Sequence, residues 1–153
     1  MLAHSAFLDQ LDNLIAAVEE EQRRDPDEVT PNQKALASIV ELAFDAIPSD
    51  PTRREYRQGD TLGARRKHWF RAKFGGGRFR LFFRYRSDAR IIVLAWVNDS
   101  DTLRTYGSRD DAYAVFSRML DDGCPPDEWD ALLAEARIAA KRFRLLRPRP
   151  RGQ

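Results

Sequence analysis

Residues 68–86 read HWFRAKFGGGRFRLFFRYR, and apolar and charged side chains alternate on both sides of the three glycines. This alternation is typical of two half-buried β-strands, because successive side chains of a strand point to opposite faces of the sheet. Gly75 to Gly77 supplies the turn between the two strands. The pattern therefore predicts a β-hairpin whose inward face carries Phe70, Ala72, Phe74, Phe79, Leu81, Phe83 and Tyr85.

A third strand follows at once. Residues Ile91 to Val97 are all apolar, which is typical of a central strand that is covered on both faces. Because short turns join all three predicted strands, successive hairpins would make the sheet antiparallel.

Helical periodicity flanks this sheet on both sides. Apolar residues recur at three- and four-residue spacings over Ser5–Arg24, and a second helix is predicted from Thr30, as N-cap, to about Ile47. After the sheet, Ser108–Asp111 resembles a helix start, and one last amphipathic helix carries Trp129 to Phe143. The sequence thus predicts an α+β fold with an N-terminal helical hairpin packed on an antiparallel β-sheet and with C-terminal helices.

Length and composition limit the classes of protein to consider. The 153 residues suffice for one domain, assigned to 1–146, and the basic residues 147–153 are expected to form a disordered tail. The longest apolar run, Ile91–Val97, is far shorter than the roughly 20 residues that span a bilayer. One cysteine and two histidines argue against an internal disulfide and against a Cys/His zinc site. We therefore expect a cytoplasmic protein without membrane contact.

Charge is sorted along the chain. Residues 1–50 hold 3 basic and 11 acidic side chains, whereas residues 51–98 hold 13 basic and 3 acidic ones. Residues 99–136 are acidic again, with 3 basic and 10 acidic side chains, and residues 137–153 hold 7 basic and no acidic ones. A strongly basic block inside a folded domain indicates a polyanionic partner.

The outward face of the predicted hairpin concentrates these cations. It carries Arg71, Lys73, Arg78, Arg80, Arg84 and Arg86. Like charges opposite each other destabilise a sheet, so either acids from the flanking blocks pair with them or the face binds phosphates. In the second interpretation, Trp69 and Phe82 would stack on RNA bases.

Other reactive side chains give weaker signals. Asp99, Asp101, Asp110 and Asp111 would suit a metal-dependent nuclease. However, acidic residues are also favoured in the first turn of a helix, where Asp110 and Asp111 lie. His4, His68 and Cys124 have no neighbours in sequence that would activate them. We therefore expect neither a metal nor another cofactor.

Six ordered motifs resemble one known family, the YhaV-type toxins of bacterial type II toxin–antitoxin systems. The motifs lie at Trp69–Gly75, Gly77–Tyr85, Trp96–Asp99, Thr102–Gly107, Asp111–Leu120 and Pro125–Trp129. The resemblance implies membership of the RelE/ParE-like superfamily, whose fold adds a short first strand that only Met1 to His4 can provide here. It further implies an RNA-cleaving toxin that inhibits translation and growth. Its partner would be an AbrB-like, DNA-binding antitoxin, through which alone it would contact operator DNA.

The resemblance also implies a mechanism without metal, in which the RNA 2′-hydroxyl attacks the adjacent phosphorus. The basic positions of the superfamily's active-site strands match Arg71, Lys73 and Arg80, while Arg104, Tyr106 and Tyr113 would form the other wall. A lysine among cations can lose its proton near neutral pH, so Lys73 is assigned as general base. Arg71 and Arg80 would clamp the phosphate. Arg104, Tyr106 and Tyr113 would share leaving-group protonation and base stacking, and Arg78, Arg84 and Arg86 would contact the RNA.

Two other functions remain open from the sequence. A ParE-like toxin would keep the fold and inhibit a protein target such as gyrase, and a non-catalytic nucleic-acid-binding module would need only the charge. The sequence also does not decide whether the toxin would cut free RNA or RNA bound to the ribosome.

Overall fold

A four-stranded sheet forms the centre of the structure, a computed structural model that describes residues 1–147. Its strands are β1 (Leu2–Ala3), β2 (Phe70–Phe74), β3 (Phe79–Arg86) and β4 (Ile91–Val97), in the spatial order β1-β4-β3-β2. The predicted hairpin is therefore confirmed. The predicted tail, apart from its first residue, lies outside the described residues.

The sheet is mixed, so the prediction of a wholly antiparallel sheet is wrong. Strands β2, β3 and β4 pair antiparallel as expected, whereas β1 pairs parallel to β4, with Leu2 opposite Val93. The backbone N–H of His4 extends this pairing by donating to the carbonyl of Leu94 at 2.8 Å. The next helix begins at Ser5 and buries Phe7 completely, which holds these first residues along β4.

The predicted helical hairpin is present. Helix α1 spans Ser5–Arg24 and α2 spans Pro31–Glu41, and a π-helical turn (Leu42–Ala46) leads into the short α3 (Ile47–Ser49). Thr30 caps α2 as expected, because its hydroxyl accepts a hydrogen bond from the backbone N–H of Gln33 at 3.2 Å.

Three further helices follow the sheet: α4 (Ala112–Asp121), α5 (Trp129–Ile138) and α6 (Ala140–Leu146). The prediction of one last helix is wrong, since the helix breaks at Ala139. Helix α5 packs on one face of the sheet, whereas Phe143 of α6 packs in the core on the other face, and one straight helix could not reach both. Within residues 1–147, no helix is both long enough and apolar enough to cross a membrane.

Hydrophobic cores lie on both faces of the sheet. The first core joins Phe83 and Leu94 to α1 and α2. The second core joins Trp69 and Phe82 to α4 and α5. The α+β class is thus confirmed, but the face that was expected to point outward is covered by helices.

We expect the change Phe83→Ala to destabilise the protein by ~3–5 kcal/mol, the usual cost of removing a fully buried ring. Phe83 is 0% exposed, and its ring centroid lies 5.4 Å from that of Tyr56 and 5.7 Å from that of Phe70. Urea denaturation measures the free energy of unfolding. Leu145→Ala is the control, because Leu145 is 80% exposed and its removal should cost no more than about 0.5 kcal/mol. Equal effects of the two changes would contradict this packing.

Candidate functional site

Three arginines surround the side chain of one buried tyrosine. Tyr113 accepts hydrogen bonds at its hydroxyl from Nε of Arg71 at 2.8 Å and from Nε of Arg80 at 3.2 Å. The guanidinium carbon of Arg104 lies 4.8 Å from the centroid of the Tyr113 ring. We call Arg71, Arg80, Arg104 and Tyr113 the arginine–tyrosine cluster; all four were predicted as site residues, and the fold brings them together.

The sheet and helix α4 position this cluster. Arg71 on β2 and Arg80 on β3 point to the same face of the sheet, because Lys73, two residues after Arg71, is the register partner of Arg80. Tyr113 lies in the first turn of α4, which covers that face. The backbone N–H of Arg104 donates to the carbonyl of Arg78 at 2.9 Å, so the loop after β4 is attached to the start of β3.

Asp111 connects Arg104 to the start of the helix that carries Tyr113. Its carboxylate accepts from Nη1 of Arg104 at 2.7 Å and from the backbone N–H of Tyr113 at 3.0 Å. Burial raises the pKa of Asp111, but the hydrogen bond from Arg104 and those from the backbone outweigh burial and hold the pKa below its usual range. Asp111 is therefore a buried carboxylate that fixes Arg104 beside Tyr113.

The same competition acts on Tyr113, which is 5% exposed. Burial raises the pKa of its phenol, but the hydrogen bonds and positive charges of Arg80 and Arg71 outweigh burial and lower the pKa below the ordinary value. A phenol with a lowered pKa gives up its proton more readily, so the cluster can donate a proton as well as bind an anion.

Two predicted catalytic residues lie at the edge of the cluster. Lys73 is exposed, and it lines a cleft together with Arg71. Tyr106 is 85% exposed, and its ring centroid lies 3.8 Å from the guanidinium carbon of Arg104. Tyr106 therefore presents an aromatic face to solvent beside a fixed cation.

The prediction that Trp69 and Phe82 stack on RNA bases is wrong. Both side chains are 0% exposed, because the rings pack against Phe116 of α4, at centroid distances of 5.0 Å for Trp69 and 4.2 Å for Phe82. Aromatic rings interleaved with arginines here mark a buried face of the sheet. Neither ring can reach a nucleotide.

The prediction of one continuous cationic face is also wrong. Arg84 is 8% exposed, its guanidinium carbon lies 5.4 Å from the ring centroid of Trp69, and its Nη1 donates to the carbonyl of Asp127 at 2.8 Å. Arg86 pairs with Asp88 at 2.6 Å at the far end of β3. Arg78, another predicted RNA-binding residue, is exposed and lies beside the cluster, where its carbonyl accepts from the backbone N–H of Arg104. The cations therefore divide into two groups: those at the cluster, and Arg84 with Arg86 beside Trp129.

Arg80 is more buried than the sequence indicated. It is 5% exposed, and its Nη1 donates to the carbonyls of Gly77 and Phe79, the second at 3.1 Å. Its side chain therefore supports the β2–β3 turn as well as the cluster, and its removal would affect both.

Two of the four aspartates considered for a metal site, Asp99 and Asp111, have other contacts. Asp99 accepts hydrogen bonds within its own loop, from the hydroxyl of Thr102 at 2.8 Å and from the backbone N–H of Asp101 at 3.0 Å. Asp111 binds Arg104 and caps α4. Between residues 1 and 147, no three His, Cys, Asp or Glu side chains are grouped as metal ligands would be.

Sequence reasoning missed the role of Asp111 and the cations of residues 53–57. The only local signal at Asp111 was a helix-capping pattern, which does not reveal that the carboxylate also binds an arginine seven residues earlier. The cations of residues 53–57 match no motif, although Arg53, Arg54 and Arg57 line the same cleft as Lys73.

Comparisons with known proteins agree on one family. Residues 1–137 match a family described as a toxin with endonuclease activity, of a toxin–antitoxin system. "Ribonuclease toxin YhaV" of Escherichia coli strain K12 is 42% identical over 138 residues, covering 88% of this chain and 90% of the relative. "Toxin YhaV" of Escherichia coli O6:H1 shows the same identity and coverage. No solved structure matches the chain significantly.

Proposed function

The chain belongs to the YhaV family of toxin–antitoxin toxins with endonuclease activity, and we propose that it cleaves RNA at the arginine–tyrosine cluster without a metal ion. The name of the K12 relative specifies a ribonuclease, which indicates RNA as the substrate. The observation that carries the proposal is the buried phenol of Tyr113, which accepts hydrogen bonds from two arginines beside a third. Such a site offers fixed positive charge to a phosphate and a proton to a leaving group.

The proposed reaction begins with the 2′-hydroxyl of the substrate. Lys73 accepts the proton of that hydroxyl as the hydroxyl oxygen attacks the adjacent phosphorus. The bond from phosphorus to the 5′ oxygen breaks, and Tyr113 donates the proton that this oxygen needs. One product ends in a 2′,3′-cyclic phosphate and the other in a 5′-hydroxyl, so atoms and protons balance.

The arginines stabilise the charge that develops in this step. The planar guanidinium groups of Arg71, Arg80 and Arg104 can bind the phosphate oxygens throughout the reaction. Asp111 keeps Arg104 in place through the 2.7 Å ion pair. Tyr106, exposed over Arg104, would stack on a base next to the cut site.

The test is cleavage of a defined RNA by the purified protein in excess EDTA. The proposal expects full activity, with 2′,3′-cyclic phosphate or 3′-phosphate ends on the upstream product. Loss of cleavage in EDTA, restored by Mg²⁺ or Mn²⁺, would reject this mechanism. The same assay on translating ribosomes decides whether the toxin acts on free or on ribosome-bound RNA.

We further assign the chain to the RelE/ParE-like superfamily and its antitoxin to the AbrB-like, DNA-binding class. The element order supports the first assignment: a short strand, a helical hairpin, an antiparallel hairpin with a further strand, and C-terminal helices. Operator DNA would be contacted only through the antitoxin, and RNA cleavage in the cytoplasm would inhibit translation and growth.

We expect the antitoxin to bind with an acidic segment beside the cluster, where Lys73 and Arg78 are exposed. Its association rate should fall as salt rises, because charge attraction is screened beyond ~8 Å at physiological ionic strength. Stopped-flow mixing at several salt concentrations measures this rate. Arg78→Ala should lower it, and Arg144→Ala, on the distant helix α6, should not. If the association rate changes neither with salt concentration nor in the Arg78→Ala variant, the antitoxin binds to another part of the surface.

A further inference from the structure

A second cationic feature lies next to the arginine–tyrosine cluster. Residues 53–57, strand β2 and the end of the helical hairpin enclose a cleft of about 490 Å³. Five cations line it, and Glu55 is its only acidic lining residue among those that the structure describes. The cations are Arg53, Arg54, Arg57, Arg71 and Lys73.

Most of this positive charge has no acidic partner. Arg53 pairs with Glu55 at 3.5 Å. Within residues 1–147, no carboxylate lies within 4.0 Å of the charged groups of Arg54, Arg57 or Lys73. All three side chains are exposed. The cleft therefore holds positive charge that an anionic ligand could neutralise.

The cleft is held in a defined place against the sheet. Arg57 forms an isolated antiparallel bridge with Phe70, the first residue of β2. Tyr56 is 4% exposed, and its ring packs edge to face on Phe83 at 5.4 Å. These contacts fix the backbone that carries Arg54 and Arg57.

Arg71 connects the cleft to the cluster. Its Nη1 donates to the carbonyl of Glu55 at 2.6 Å, and its Nε donates to the hydroxyl of Tyr113 at 2.8 Å. One guanidinium therefore contacts both the wall of the cleft and the phenol of the cluster. An RNA strand with one phosphate on Arg71 must place a neighbouring phosphate close by, and the cleft offers cations in that position.

We propose that this cleft is a subsite for the RNA backbone, in which Arg54 and Arg57 bind phosphates that neighbour the cut site. The proposal rests on the RNA cleavage proposed above and adds the path of the substrate strand. Its ligand is the phosphodiester backbone of single-stranded RNA, so binding there adds affinity without reading sequence. The continuity through Arg71 favours RNA over an acidic peptide as the occupant.

The double change Arg54→Ala and Arg57→Ala tests the subsite. We expect the Kd for a long RNA, made uncleavable by one 2′-deoxynucleotide at the cut site, to rise by about 10-fold for each arginine replaced. The salt dependence of log Kd should become shallower by roughly 0.7 for each phosphate that the variant no longer binds. The kcat for a minimal RNA that carries only the cut site should stay unchanged, since neither residue belongs to the cluster.

The matched control removes two cations elsewhere. Arg137 and Arg144 are exposed on α5 and α6, which pack near β1 at the opposite edge of the sheet from β2. Their double change to alanine alters net charge equally and should leave both the Kd and the salt dependence as in the wild type. Circular dichroism checks that both double variants fold.

Two results would overturn the subsite. The first is an unchanged Kd for long RNA in the Arg54 and Arg57 variant, and the second is an equal loss of affinity in the control. If the first result comes with weaker binding of the antitoxin, the cleft is an antitoxin site. A wild-type protein that cleaves no RNA would instead reject the proposed function, and the cleavage assay distinguishes that failure from the other two.

Discussion

Replacing Tyr113 with phenylalanine is expected to lower kcat for RNA cleavage by ~10²–10⁴-fold, the usual contribution of a general acid. The change keeps the ring in the second core and removes only the oxygen that accepts from Arg71 and Arg80. It removes the proposed proton donor for the leaving oxygen and leaves two buried guanidinium groups without that acceptor. Single-turnover cleavage of a short RNA measures the effect.

The pH profile separates proton donation by Tyr113 from a purely structural role. A general acid must be protonated, so wild-type activity should fall as pH rises through the pKa of Tyr113, which lies below the ordinary value of about 10. This fall should disappear in the residual activity of the variant. Tyr85→Phe is the control, because Tyr85 packs against the first core, on the other face of the sheet. Wild-type kcat in the Tyr113 variant would remove the residue from the mechanism.

Lys73→Ala should lower kcat by a similar ~10²–10⁴-fold, because the reaction would lack its general base. Lys73 is exposed, so the free energy of unfolding should change by no more than about 0.5 kcal/mol. Cleavage and urea denaturation of the same preparation measure both quantities. Lys34→Ala, at an exposed position of α2, is the control for removal of one lysine. Full cleavage by the Lys73 variant would contradict its assignment.

The part of the first core that strands β2 and β3 provide could be predicted from the sequence, because its residues in these two strands follow a period of two. Phe83 and Ala72 point into that core as the alternation required. The short strand β1 could not be predicted in the same way. Two residues carry no periodic signal, and their direction along β4 depends on the burial of α1.

The second face of the sheet was wrongly predicted to be exposed to solvent, because arginine is amphipathic. The alternation correctly placed Arg71, Arg80 and Arg84 on one face, but their charge alone suggested that this face is exposed to solvent. Arginine can bury its apolar stem and stack its planar group on aromatic rings, as Arg84 does against Trp69 and Trp129. The aromatic residues of that face were the signal for burial.

The hydrogen bonds of the site could not be predicted, because they join residues that are distant in sequence. The resemblance to a known family predicted Arg71, Arg80 and Tyr113, but only the fold shows that both arginines donate to the same phenol oxygen. The pairing of Asp111 with Arg104 was hidden for a similar reason. A carboxylate that caps a helix gives the same local pattern whether or not it also binds an arginine of the cluster.

The decisive measurement uses an RNA with one 2′-deoxynucleotide on the 5′ side of the mapped cut, assayed in EDTA against the matched all-ribose RNA. If the substrate's own 2′-hydroxyl attacks the phosphorus at the arginine–tyrosine cluster, the all-ribose RNA is cut and leaves a 2′,3′-cyclic phosphate. The deoxy-substituted RNA then binds with the same affinity and is not cut at that bond. Cleavage of the deoxy-substituted bond at a comparable rate would show that another nucleophile attacks, and the proposed mechanism would be wrong.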